Sequence, residues 1–391
     1  MRSNIKLGRI AGIEIGLHYS WFIIAALIAF SLVEQFSHVN SDWGTAQIWA
    51  AAIFTAAMFF VGLLLHELSH SLVAQARGLK VRAITLFALG GVSQIEDEAT
   101  DAKTEFLVSI AGPVASFMIG GICLALAYSM GWRVRVEPRT AATAVLFYLG
   151  DINIVLGLFN LIPGFPLDGG RVLRAIVWAF TKNADRATRI AARVGQVVAF
   201  LFIVVGIWQF FRGQGFGGLW IAFIGWFLMD AAKASYAQVE IAAAFRGMRV
   251  KDVMSRDCTI VNRGMSLQEF VDTYLLKTGQ RCFAVEDQGH LVGLITPRDV
   301  GTIPRDRWDV TTIREAMRPL QNLQIISPET PVLNALKIMA KNDLNQLPVV
   351  ADGKLQGIFS RSQLMQLLQA RTDLQIPMSH QPPVPPHNRP V

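Results

Sequence analysis

The chain has few charged residues for its length. Asp, Glu, Lys and Arg make up 17% of the 391 residues, whereas a soluble globular protein carries about 25%. The mean hydropathy is +0.39, and nearly all long apolar runs fall within about the first 235 residues. This excludes an ordinary soluble protein as a description of the N-terminal part and predicts a lipid bilayer as its surroundings.

Cysteine is scarce as well, with three residues, Cys123, Cys258 and Cys282, and no CxxC spacing. This excludes a disulfide framework and a cysteine-based zinc site. The net charge is +7, but no basic patch is interleaved with aromatic residues, so no nucleic-acid partner is expected.

Six apolar segments approach the length of about 20 residues that a spanning helix needs. The N-terminal stretch lacks a small-residue cleavage site and is interpreted as the start of a retained first helix. The segments are predicted near 18–36, 49–75, 106–130, from 144 with an interruption at 163–166, 194–211 and 217–234.

Lys and Arg predict the orientation because they are enriched in short cytoplasmic loops. Basic residues cluster before the first span, after the second and after the fourth. Both termini are therefore expected in the cytoplasm of a multi-pass plasma-membrane protein. Three arginines in one other loop disagree with this majority: Arg133, Arg135 and Arg139.

Two further segments have recognisable local patterns. The stretch VRAITLFALGGVSQIED, from residue 81, is rich in β-formers and predicts a short hairpin against the membrane domain, with a plain surface loop as the alternative. From residue 250 to about 371, an internal repeat of about 63 residues predicts two α/β copies. The proline-rich end, QPPVPPHNRPV, is expected to be disordered.

The second apolar segment contains HELSH, with His66, Glu67 and His70. Positions i and i+4 share one face of a helix, so both imidazoles can bind one metal ion, with Glu67 beside them as a general base. Ionisable residues inside a membrane are usually functional. The alternative is a pair of core histidines satisfied by hydrogen bonds.

A catalytic zinc takes three protein ligands and leaves one position open. His18, His38 and His290 are candidates for the third ligand, but Asp168 in NLIPGFPLDGGR is the better one. The prolines break the helix there, and irregular backbone at membrane depth lines a cavity or is buried in protein. The alternative is an interfacial turn with a solvated carboxylate.

With HELSH and NLIPGFPLDGGR, the chain resembles the site-2 protease family of intramembrane zinc metalloproteases. GLHYSW, LFALGGVSQIE and EFLVSIAGPVASF extend the resemblance over the first 235 residues, and the repeat resembles a tandem pair of CBS domains. The resemblance implies an α-helical polytopic membrane domain followed by an α/β CBS pair. The implied bounds are 1–236 for the protease domain, 248–307 and 311–371 for the CBS domains, and 372–391 for a disordered tail.

The resemblance also implies roles for individual residues. His66, His70 and Asp168 would bind one zinc ion, Glu67 would be the catalytic base, and Asn160 would help to polarise the scissile carbonyl. The substrate would be a transmembrane protein that unwinds locally and adds to the strand carrying Gly90 and Gly91, because glycine lets another backbone approach. Arg171 and Arg174 are expected to be basic anchors at the cytoplasmic membrane surface.

CBS pairs bind adenine nucleotides such as ATP, ADP or AMP in their clefts, and many of them form homodimers. In the first copy, Thr296 and Asp299 of GLITPRD match the ribose-contacting positions. In the second, Ser360 of GIFSRSQ matches, but Gln363 replaces the usual acidic residue. The resemblance thus predicts regulation by nucleotide, with dimerisation alone as the alternative.

Two functions from other classes compete with the protease. A CBS-gated transporter needs polar residues spread along a path through the membrane rather than an HExxH cluster. An inactive scaffold would be favoured by the loss of a metal ligand or of the base, and the sequence retains all four residues. Both observations favour the protease.

Overall fold

The computed structural model describes residues 4–39, 43–88, 90–95, 99–134, 136, 138–256, 259–278, 283–288, 290–351 and 354–373. The chain divides into two compact units, Met1–Val239 and Glu240–Val391. The predicted disordered tail at 372–391 lies outside the described residues except for its first two positions, as do Cys258 and Cys282.

Among the described residues, six helices are long and apolar enough to cross a membrane, which agrees with the six predicted segments. A π-helical turn at Phe210–Gln214 follows the fifth of them, and a shorter helix, α5 (Asp168–Thr181), lies between the fourth and the fifth. The six are α1 (Ser20–Val39), α2 (Thr45–Ala76), α3 (Ala102–Ser129), α4 (Ala141–Asn160), α6 (Ala184–Gln209) and α7 (Phe216–Ala244).

Asp168 lies beyond the fourth apolar helix, after the break that the prolines predicted. Helix α4 ends at Asn160, an irregular segment follows, and Asp168 is the first residue of α5. Pro163 and Pro166 explain the break, because proline lacks an N–H donor and clashes with the preceding helical turn. The carboxylate therefore lies at a helix N-terminus, where the helix dipole favours negative charge.

Four strands form one sheet in the membrane unit, in the order β1 (Ile5–Ile10), β2 (Ile13–Leu17), β3 (Val81–Phe87) and β4 (Gly90–Ile95). Strands β3 and β4 pair antiparallel and confirm the predicted hairpin. Strands β1 and β2 were not predicted: the N-terminal stretch is a second hairpin, which joins the first through parallel β2–β3 pairing. Apolar residues occupy every second position of β2, and Ile13, Ile15 and Leu17 are all buried.

The sheet packs against the part of α2 that carries HELSH. Ile13 and Leu17 from β2 and Ile84 and Leu86 from β3 share one apolar cluster with Phe60, Leu63 and Leu68 of α2. Burial of these side chains fixes the sheet beside the two histidines. Strand β4 ends the strand order, so its outer edge has no strand partner among the described residues.

Helix α3 begins at a defined cap and packs closely on α4. The Asp101 carboxylate accepts a hydrogen bond from the Thr104 N–H at 2.9 Å, and this bonding lowers the pKa of Asp101. Further along, a Cβ built on Gly120 would lie 2.8 Å from Ile154 and 2.9 Å from the Gly150 carbonyl oxygen of α4. Small residues of this kind allow close approach of membrane helices.

The second unit contains the two predicted α/β copies. The first copy's sheet has the order β5-β6-β7-β8, and β9 pairs with β10 in the second copy. The predicted short strand of the second copy is only a single bridge, Ile326 to Val349. The elements are α8 (Val250–Val253), β5 (Ile260–Asn262), α9 (Leu267–Phe270), α10 (Leu276–Thr278), β6 (Phe283–Asp287), β7 (His290–Ile295), α11 (Pro297–Val300), α12 (Ile313–Ala316), β8 (Arg318–Pro319), α13 (Val332–Lys341), β9 (Gln346–Ala351), β10 (Lys354–Ser360) and α14 (Arg361–Asp373).

Adjacent glycines in α3 provide a matched test of the α3–α4 contact. We expect Gly120→Ala to lower the free energy of unfolding by about 1–3 kcal/mol, the usual cost of overpacking a tight interface. Gly121→Ala is the control, since a Cβ on Gly121 meets nothing within 4 Å. Thermal unfolding of the detergent-solubilised chain measures both, and equal midpoints would contradict this packing.

Candidate metal centre

Three side chains from two helices converge at one point in the membrane unit. His66 and His70 lie one turn apart on α2, and Asp168 begins α5. Asp168 Oδ2 is 3.2 Å from His66 Nε2 and 3.1 Å from His70 Nε2, and the two Nε2 atoms are 3.3 Å apart. Both histidines are buried. The structure thus brings together the three predicted ligands, and their ligand atoms all lie within 4.8 Å of one another.

The outer contacts of the imidazoles decide which atoms face this point. His70 Nδ1 is 2.6 Å from the Val108 carbonyl oxygen, which can only accept a hydrogen bond. Nδ1 therefore donates its proton there, and in the neutral ring the Nε2 lone pair would face the centre. His66 Nδ1 is likewise occupied, 2.8 Å from Ser116 Oγ.

A neutral His70 leaves the centre electron-rich. An imidazole lone pair, a second imidazole nitrogen and a carboxylate oxygen then face each other at 3.1–3.3 Å, an arrangement that a cation between them would stabilise. A tetrahedral zinc with bonds of about 2.0–2.1 Å places neighbouring ligand atoms about 3.3 Å apart. The donor types and the spacing therefore both fit zinc.

Gly112 of α3 provides the space for this convergence. A Cβ built at this position would lie 2.2 Å from His70 Nε2 and 2.6 Å from His66 Nε2. Both distances are far below van der Waals contact, so any side chain here would displace the imidazoles. A residue without a side chain is therefore required where α3 passes the two rings.

Glu67 lies beside the centre and is oriented by strand β4. Ser93 Oγ of β4 lies 2.8 Å from Glu67 Oε2 and donates to it, and Ser71 Oγ donates in turn to Ser93 Oγ at 3.2 Å. Gly91 of the same strand also adjoins the Glu67 side chain, because a Cβ on Gly91 would lie 2.4 Å from Glu67 Cγ. In the structure Gly91 thus makes room for Glu67, a role that the sequence had not suggested.

A cavity of about 490 Å³ opens next to these groups. Asn160, Gly90 and Gly91 lie in its wall together with His66, Glu67 and Asp168, so the predicted catalytic and substrate-contacting residues share one space. Asn160 donates one amide hydrogen to the Leu156 carbonyl at 3.1 Å. The other walls are apolar and come mainly from α1, α2 and α7, among them Ile24, Ile28, Phe59, Trp220, Phe223 and Phe227.

Three other residues singled out in the sequence, His18, Arg171 and Arg174, lie outside the ligand cluster. His18 Nδ1 contacts Ser20 Oγ at 2.8 Å and takes no part in the ligand cluster. Arg171 and Arg174, expected as surface anchors, both reach the buried carboxylate of Glu105 on α3. This ion pair was not predicted.

The CBS unit has a cleft of about 1070 Å³ that is lined by Thr296 and Ser360. Three arginines also line it, Arg298, Arg318 and Arg361. Asp299 is buried, and its carboxylate accepts from the Thr296 backbone N–H at 3.0 Å and from Arg318 Nε at 2.7 Å. Of the three predicted nucleotide contacts, two thus face the cleft, while the third is paired within the protein.

Known proteins provide an independent comparison. The model for peptidase family M50 matches residues 54–136 and 134–202, and the CBS domain model matches 250–301 and 312–370. Rip3 of Mycobacterium tuberculosis is 32% identical over 370 residues, which cover 94% of this chain and 93% of that protein. The zinc metalloprotease MJ0392 of Methanocaldococcus jannaschii is 30% identical over 376 residues, 94% and 97% of the two chains.

One solved structure, the site-2 protease from Methanocaldococcus jannaschii, is 31% identical with a TM-score of 0.41, and the match covers 59% of this chain and 94% of that chain. The identity over nearly full length, together with the family-model matches, identifies the family. The chain belongs to peptidase family M50 and is a membrane zinc metalloprotease of the site-2 protease type with a C-terminal pair of CBS domains.

Proposed function

We propose that His66, His70 and Asp168 hold the zinc ion, that Glu67 is the catalytic base, and that the enzyme hydrolyses peptide bonds within or near transmembrane segments of membrane proteins. The observation that carries this proposal is the convergence of three ligand atoms beside Glu67. His66, Glu67 and Asp168 line a cavity whose walls come mainly from helices long and apolar enough to span a membrane.

The chain's own residues supply the proton transfers. When bound, zinc acts as a Lewis acid that activates water and polarises the scissile carbonyl. Glu67 takes a proton from the attacking water and returns it to the amide nitrogen as the C–N bond breaks. Ser93 holds Oε2 of Glu67 in place. Asn160 donates one amide hydrogen to Leu156 and has a second for the carbonyl oxygen of the substrate.

The free edge of β4 supports binding of the substrate in an extended form. A transmembrane helix buries its peptide bonds in its own hydrogen bonds, so cleavage requires local unwinding. The unpaired N–H and C=O groups of an edge strand can replace those bonds. Gly90 and Gly91 of β4 line the cavity that holds Glu67, so an added strand would pass the catalytic base.

Zinc content tests the ligand assignment. The full-length chain, purified in detergent, is expected to contain about one zinc per chain. His66→Ala and Asp168→Ala each remove one of three ligands and are expected to lose the ion. His38→Ala and Asp151→Ala replace the same residue types at exposed positions and should retain it. Zinc in both ligand variants, or none in the wild type, would overturn the site.

Site-specific crosslinking tests the substrate class. A photo-reactive residue at Val92 of β4, in the Glu67→Gln background that blocks turnover, is expected to crosslink to membrane proteins within or near their transmembrane segments. Met118 of α3 is the control because its side chain is exposed outside the cavity. Equal capture at both positions, or capture of soluble proteins alone, would contradict edge-strand binding.

We also propose that the CBS cleft binds an adenine nucleotide and regulates the protease. Its volume of about 1070 Å³ accommodates a nucleotide, and Arg298, Arg318 and Arg361 suit phosphate groups. Thr296 and Ser360 face the cleft from equivalent positions of the two copies. Asp299 would contact a ribose only after Arg318 releases it.

Affinity for AMP, ADP and ATP tests the cleft. Calorimetry on the full-length chain is expected to find tighter binding as phosphates are added, because the arginines pair with them. Arg361→Ala should weaken ATP binding about tenfold, the value of one charge-assisted hydrogen bond. Arg314→Ala removes the same charge from an exposed position outside the cleft and should leave the affinity unchanged. Equal losses in both variants would contradict the assignment.

The proposal includes cytoplasmic termini, a cytoplasmic CBS pair and a homodimer formed through that pair. The loop charges support the orientation. The match to the CBS domain model at residues 250–301 and 312–370 supports the homodimer, because many CBS pairs dimerise. Labelling of the termini in sealed vesicles measures the orientation, and light scattering of the solubilised chain measures the oligomeric state.

A further inference from the structure

One face of α3 supports the metal centre from outside. Val108, Gly112 and Ser116 recur at intervals of four residues, which is about one helical turn. The Val108 carbonyl binds His70, Ser116 binds His66, and Gly112 leaves room for both rings. Glu105 lies on the same face, one turn before Val108.

Glu105 reaches the third ligand's helix. Its carboxylate is buried, with 1% of the residue exposed, and it accepts hydrogen bonds from α5. Arg171 donates from Nε at 3.1 Å and from Nη2 at 3.4 Å, and Arg174 donates from Nη1 at 3.2 Å. Arg171 is one turn beyond Asp168, and its charge also acts on Asp168 and Glu67.

Helix α5 needs such an anchor more than α2 does. His66 and His70 share one continuous helix of 32 residues, which fixes their separation. Asp168 follows an irregular segment and begins a separate helix of 14 residues, so no continuous helix sets its distance from the histidines. The two arginines of α5 provide the missing connection to α3.

Stability alone does not explain a buried ionic group here. Replacing a buried ion pair with apolar residues is often neutral or stabilising, whereas its directional bonds fix one geometry. We infer that Glu105 is a positioning residue for the metal centre, which anchors α5 through Arg171 and Arg174 and thereby sets the Asp168 carboxylate against the two histidines. The inference rests on the zinc site proposed above.

Zinc affinity of the full-length chain in detergent tests this role. Glu105→Gln keeps the size of the side chain but removes its charge. We expect the Kd for zinc, measured by chelator competition, to rise about tenfold, the low end of the effect of losing a direct outer contact of a metal ligand, because Glu105 acts on Asp168 only through α5. The Co²⁺-substituted protein should also change its visible absorption, because the ligand geometry changes.

Asp101→Ala is the matched control on the same helix. It removes the N-terminal cap of α3 and should lower the unfolding temperature while the Kd for zinc stays within about twofold, since the cap contacts none of the ligands. An unchanged Kd in folded Glu105→Gln, or an equal rise in Asp101→Ala, would overturn the positioning role.

Arg174→Gln serves if Glu105→Gln does not fold, because it leaves the Arg171–Glu105 pair intact. A smaller rise than that of Glu105→Gln is expected, about threefold and below the range for direct outer contacts of a metal ligand, and a wild-type Kd would contradict the inference. Failure of the zinc site itself has a different signature. Wild-type protein without zinc would overturn the proposed ligands, whereas normal zinc binding in both wild type and Glu105→Gln would overturn this inference alone.

Discussion

The membrane unit depends on one electrostatic constraint. Three electron-rich atoms, from His66, His70 and Asp168, face one another at 3.1–3.3 Å in a buried setting. A cation between them would interact strongly with all three, because the surroundings have a low dielectric constant. The elements packed around the cluster hold it together. Helix α2 provides two of the proposed ligands, α5 provides the third after a break in the chain, and α3 contacts both of these helices.

That third helix, α3, has little chemistry of its own. It contributes a backbone carbonyl, a serine hydroxyl, a glycine and one buried carboxylate, yet these four contact both ligand-bearing helices. The sheet contacts a different residue of α2, because Ser93 of β4 orients Glu67. The proposed ligands are thus supported from α3 and the proposed base from β4, so the two roles depend on different parts of the fold.

Local spacing made much of this predictable. The HExxH spacing placed two ligands on one helical face, proline predicted irregular backbone before Asp168, and the six apolar runs predicted the spans. The features that were missed depend on distant contacts. The residues around Glu105 give no indication that it pairs with Arg171, which is 66 residues away in the chain. The need for glycine at position 112 arises only from the two imidazoles of another helix that lie beside it. The N-terminal strands were missed because a basic start followed by an apolar segment is typical of a first membrane helix. The alternation of apolar residues that indicates a strand was nevertheless present.

The two open edges of the four-stranded sheet differ in chemistry. On β1, Lys6 and Arg9 project near a bulge between Lys6 and Gly8, and charges and bulges are features that discourage strand addition. On β4 the sequence Gly-Gly-Val-Ser-Gln carries no charge. These features discourage strand addition at β1, whereas β4, whose Gly91 adjoins Glu67, lacks such charges. The proposed addition of a substrate strand would therefore extend the sheet at one edge only, beside the proposed catalytic base.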